Sequence, residues 1–153
     1  MAYGINDWKA NYPTGTIDDP YETPTTTIGG MRATFDAILE SNPYIKIIVI
    51  LPLNTLGYYS QEQQALDNPT PSYGTYDTNW GLGYSFSNSG TLEQFVQAMI
   101  SICDYYGIQY IDQTHYSVVN RNNIKTLLTD GVHPNVDAHT VLAKELSKKI
   151  TFG

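Results

Sequence analysis

The sequence holds one cysteine, few basic residues, and no apolar run longer than Ile47 to Leu51. A lone Cys103 excludes an internal disulfide, so cysteine usage says little about compartment. It falls on the apolar face of an expected helix, where a thiol reads as inert core rather than nucleophile. Eight Lys and Arg against fifteen Asp and Glu leave a net charge of −7. Such a chain repels phosphate backbones, which argues against a nucleic-acid partner. The Ile47 to Leu51 run is far too short to span a bilayer. No charged segment followed by an apolar stretch opens the sequence, so no signal peptide is expected within it.

What is present suits one globular domain over residues 1–153, with 41% hydrophobic content and an unusual 13 Tyr. A first helix is expected from about Thr27 to Glu40, with Met31, Phe35, Ile38 and Leu39 on one face and Asn42-Pro43 as its stop. Ile45 to Leu51 is β-branched and nearly all apolar, as a strand buried on both faces should be. Thr91 and Gln94 stand at capping-box spacing before Leu92, Phe95, Val96, Met99, Ile100 and Cys103 at helical period, and Gly107 suits the helix end. Ile108 to Asp112 reads as a second strand. A last helix from about Asn135 to Ile150 would bury Ala138, Val141, Leu142 and Leu146. Strand and helix alternate, which predicts an α/β fold with a parallel sheet.

Between Pro52 and Gly90 there is little regular pattern beyond a short helix expected near Gln61 to Leu66. The stretch carries Tyr58, Tyr59, Tyr73, Tyr76, Trp80, Tyr84 and Phe86 but no Lys or Arg. It follows the carboxyl end of a strand, where open α/β sheets place their ligand crevices. Its rings either line a substrate pocket or pack on one another as a surface flap.

Two short clusters carry chemistry. Gly4-Ile5-Asn6-Asp7-Trp8 opens the sequence, and Asp130-Gly131-Val132-His133-Pro134 precedes the last helix. Asp130 and His133 are three residues apart in a turn shaped by Gly131 and Pro134. That spacing lets the carboxylate reach the imidazole Nδ1–H, fix the tautomer and leave Nε2 as a base. A metal site from Asp130, His133 and His139 is disfavoured, because the two His are not one helical turn apart. His115 reads as a surface residue.

Gly-x-Asn-Asp followed far downstream by Asp-x-x-His-Pro resembles the third and fifth sequence blocks of the SGNH (GDSL) hydrolase family. The resemblance implies a three-layer α/β/α sandwich of flavodoxin-like type and ester hydrolysis by a Ser-His-Asp triad without cofactor. It implies His133 as general base and Asp130 as its orienting partner. Asn6 would donate to the oxyanion, with the backbone near Gly4 shaping that loop and Asp7 fixing it. Trp8 would either wall the substrate pocket or pack beneath it. Tyr58, Tyr59, Trp80 and Tyr84 would face substrate, and rings that stack on pyranose faces suit an acylated carbohydrate.

The departure from the family is large. No Gly-Asp-Ser occurs, and Ser85 lacks the second glycine of a nucleophile elbow. Only the last two of about five strands are legible, with Met1 to Tyr3 as a tail of the third. The expectation is the C-terminal part of such a domain, its N-terminal strands and nucleophile lying on a companion segment of the same fold. Without that segment the Ile45 to Leu51 strand should expose an apolar edge and associate. The chain alone would be inactive. The alternative is an SGNH-like module that binds glycan or protein without turnover. A secreted, cell-surface or virion-associated setting is favoured over the cytoplasm.

Overall fold

The computed structural model describes residues 4–20, 24–55, 85–120, 122–129 and 132–150. Contacts divide the chain into two units, Met1–Pro52 with Ser85–Asp112, and Leu53–Tyr84 with Gln113–Gly153.

The first unit is built on two long helices. Helix α1 is the short turn Ile5–Lys9, and α2 spans Thr27–Ser41. Thr26 caps α2 by accepting from the Gly29 amide at 3.1 Å. At its other end Asn42 turns extended before Pro43, which disfavours helical geometry in the residue ahead of it. Helix α3, Leu92–Tyr106, has the expected reciprocal cap. The Gln94 amide donates to Thr91 Oγ1 at 3.1 Å, and the Thr91 amide donates to Gln94 Oε1 at 2.9 Å. Gly107 closes it in the left-handed conformation, φ 65°. Phe35, Phe95, Val96, Met99, Ile102 and Cys103 are wholly buried, whereas Ile100 sits at the margin of the apolar face. Burial pushes the Cys103 thiol up to about 11, so it stays protonated and unreactive at neutral pH.

Strands β1 (Ile48–Ile50) and β4 (Gln109–Ile111) pair in parallel, with Ile48 opposite Gln109 and Ile50 opposite Ile111. Both are shorter than expected. In this register Lys46 would face Gly107, which closes α3, so pairing does not reach back to Ile45 and Lys46. Tyr44, Ile45 and Lys46 are accordingly exposed. Burial along β1 also corrects the two-sided expectation: Val49, Ile47 and Leu51 are buried, Ile48 and Ile50 only half so. Between them in sequence, β2 (Ser85–Phe86) and β3 (Gly90–Thr91) form a small antiparallel hairpin that the sequence reading missed.

In the second unit, α4 (Ile124–Leu127) and α5 (Val136–Lys149) enclose a small apolar cluster. Val119, Ile124, Leu128 and Leu142 form it, with Leu53 and Leu127 packed against it. Val141 and Leu146, expected inside, are half-buried. Glu145 of α5 accepts from the Val118 amide at 2.9 Å and pairs with Lys149 one turn on. No helix among the described residues is long and apolar enough to cross a membrane.

Candidate active site

The Gly4-x-Asn6-Asp7 cluster forms a helical turn rather than a loop. Gly4 caps α1 with φ 96°, a value that L side chains rarely adopt. A Cβ on Gly4 would lie 2.8 Å from Phe95 Cε1 and 3.1 Å from Met99 Sδ. Glycine is therefore required here by both backbone and space. Asp7 fastens the turn: its Oδ2 accepts from Thr27 Oγ1 at 3.4 Å, and its carbonyl accepts from the Tyr12 amide at 2.9 Å. Asn6 is exposed on the first turn of α1, and among the described residues its carboxamide has no hydrogen-bond partner. A donor that is exposed and uncommitted can serve an incoming oxyanion.

Trp8 is wholly buried. Its indole N–H donates to the Gly90 carbonyl at 3.0 Å, and its ring meets Phe86 edge-on at 5.1 Å. Trp8 thus packs beneath the turn, one of the two arrangements expected for it. Burying a ring of this size stabilises more than the turn's own hydrogen bonds do.

The sequence reading missed a ring of polar contacts that follows α1. Asn11, at φ 56°, accepts through Oδ1 from the amides of Asn88 (2.7 Å) and Ser89 (3.2 Å). Its Nδ2 donates to Ser87 Oγ at 3.0 Å. Ser89 Oγ donates to the Trp8 carbonyl at 2.8 Å, and Thr14 Oγ1 donates to the Ser89 carbonyl at 2.9 Å. The run Ser87-Asn88-Ser89-Gly90 was a legible turn signal, but nothing in it names its distant partner.

The second cluster lies in the other unit. Leu128 and Pro134 form an antiparallel bridge, and the Thr129 amide donates to the His133 carbonyl at 2.8 Å. Asn135 then caps α5, its Oδ1 accepting from the Ala138 amide at 2.9 Å while its Nδ2 donates to the Thr126 carbonyl at 2.7 Å. This short loop presents His133 at the surface. Val132 beside it is buried. Asp130 and Gly131 lie outside the described residues, as do Tyr58, Tyr59, Tyr73, Tyr76, Trp80, Tyr84 and the helix expected near Gln61 to Leu66. Ser85 lies in β2, opposite Thr91. His115 is exposed, its ring 6.0 Å from that of Tyr116.

Comparison with solved structures places the fold. One titled as a possible lipase from Chitinophaga pinensis is 23% identical, with a TM-score of 0.65 over 97% of this chain and 69% of its own. A protein from Lactobacillus plantarum is 18% identical, with a TM-score of 0.67 over 97% and 63%. Another structure is 19% identical, with a TM-score of 0.69 over 96% and 60%. The chain thus spans less than two thirds of two of these structures, 63% of the Lactobacillus protein and 60% of the last. No curated protein matches it. These likenesses show an α/β fold with mixed helices and a parallel sheet. The chain belongs to the GDSL-like Lipase/Acylhydrolase family, whose sequence profile matches residues 1–141.

Proposed function

We propose that this chain supplies the oxyanion donor and the general base of a serine ester hydrolase, whose nucleophile lies outside these 153 residues. The observation that carries the reading is the exposed, uncommitted carboxamide of Asn6 on a turn that Gly4, Asp7 and Trp8 hold in place. In this scheme a serine Oγ attacks the ester carbonyl carbon and His133 Nε2 takes its proton. The carbonyl oxygen, now negative, accepts from Asn6. Collapse of the tetrahedral intermediate expels the alcohol, which receives the proton back from His133. Water then enters the same way and releases the acid. Asp130 orients the imidazole. Acyl or acetyl esters are the substrate class, and Tyr58, Tyr59, Trp80 and Tyr84 are the residues proposed to stack on a carbohydrate alcohol. Turnover of p-nitrophenyl acetate by the full-length protein tests the reading. Asn6→Ala should lower kcat by roughly 10²–10³-fold with little change in melting temperature.

The second reading is a module that binds glycan or protein without turnover. The lack of any Gly-Asp-Ser in this sequence favours it for the isolated chain. A full-length protein that hydrolyses no ester yet binds an acylated glycan would establish it.

A further inference from the structure

We infer that Asn11 is a positioning residue for the oxyanion donor, acting through the hairpin turn Ser87 to Gly90 to fix the pose of Asn6. This rests on Asn6 being that donor.

Helix α1 has five residues, far fewer than an isolated helix needs to hold its shape in water. Its orientation must come from outside itself. Asn6 cannot supply it, since its side chain is exposed and bonded to no described residue. Trp8 anchors the turn from below and Asp7 fastens it to Thr27, but neither holds the end where the chain leaves the short helix. The chain leaving α1 supplies that hold. Asn11 takes a left-handed conformation, φ 56°, which Asn tolerates better than most residues but which still carries strain. The strain places its carboxamide against the hairpin turn, where Oδ1 receives two backbone amides and Nδ2 reaches Ser87 Oγ. Asn88 Nδ2 returns a bond to the Asn11 carbonyl at 3.4 Å. Ser89 Oγ closes the ring on the Trp8 carbonyl, and the Trp8 indole on the Gly90 carbonyl. One side chain thus joins the exit of α1 to a turn 76 to 78 residues away, next to the strand that anchors Trp8. Three of the four bonds between Asn11 and this turn are solvent-exposed, where each adds little to stability. Their number and convergence suit geometry better than folding energy, and an oxyanion donor gains its effect from geometry held to about half an ångström.

The test is a double-mutant cycle in the full-length enzyme with p-nitrophenyl acetate. Asn11→Gly keeps the left-handed backbone without strain and removes only the side chain. It should lower kcat about tenfold and leave KM within roughly twofold. Introduced into Asn6→Ala it should lower kcat no further, because the group it positions is gone. Asn11→Asp, which keeps the acceptor for both amides, should restore most of the rate. Equal losses in both backgrounds would make Asn11 merely structural and overturn the inference, as would an unchanged kcat in Asn11→Gly alone. Should Asn11→Gly fail to fold, Ser87→Ala is measured in the same two backgrounds, with a smaller loss expected only where Asn6 is present. If Asn6→Ala itself leaves kcat intact, the oxyanion assignment falls and takes this inference with it. If Asn6→Ala is slow but uncoupled to Asn11, only the positioning role falls.

Discussion

The two clusters proposed to share one reaction are held in opposite ways. The turn at Gly4 to Trp8 is pinned by partners far along the chain: Thr27, Gly90, Phe95 and Met99. The loop before α5 is shaped by bonds between near neighbours, Thr129 to His133, Leu128 to Pro134, and Asn135 to Thr126 and Ala138, beside the packing of Leu128 on Val119 and Leu142. A donor aimed at a developing charge must be preorganised, and long-range packing supplies that. A base that takes and returns a proton needs a local turn to present it, which a capped helix start provides.

Substitutions can break or sharpen this contrast. The largest effect is expected at the locally held loop. His133→Ala should cut kcat by about 10⁴-fold or more while leaving the melting temperature unchanged, because the side chain is exposed. A comparable fall in stability would show that the loop is part of the core. At the turn the order reverses, stability suffering first. Trp8→Ala should cost about 3–5 kcal/mol by denaturant unfolding, the range for a large buried ring. Gly4→Ala should cost about 1–3 kcal/mol, since it adds both left-handed strain and a contact with Phe95. Asn135→Ala, which removes a cap and a loop bond together, should cost about 1 kcal/mol.

The smallest effect is electrostatic. Burial alone would raise the Glu145 carboxyl, but the Lys149 ammonium and the Val118 amide outweigh it and hold it below the ordinary carboxylate range. A carboxyl with a depressed folded value stabilises above its unfolded value, and that contribution is lost as pH falls through the folded one. Glu145→Gln should therefore flatten the decline in melting temperature between roughly pH 5 and pH 3. An unchanged acid limb would mean that the carboxylate adds nothing there.

The same contrast explains what the sequence could tell. Helix caps, the Asn42-Pro43 stop, Gly107 and the Asn135 start are local rules written within four residues, and each lies where it was read. The family was legible too, because its two motifs are short and ordered. The hairpin at Ser85 to Thr91 and the Asn11 contacts were not legible, since two-residue strands leave no periodicity and a bond across 77 residues leaves no spacing rule. Trp8 shows the limit most plainly: an aromatic beside a motif fits wall and foundation equally until its neighbours are known. Strand length failed for a related reason, because Ile45 and Lys46 fall opposite the end of α3, which their own residue types do not reveal.

The central claim is that these two regions serve one activated serine. Labelling the full-length protein with a fluorophosphonate, beside His133→Ala and with the modified residue mapped by mass spectrometry, tests it most directly. The account predicts one labelled serine outside these 153 residues and loss of labelling in the variant. No labelling of the wild type, or labelling indifferent to His133, would contradict it.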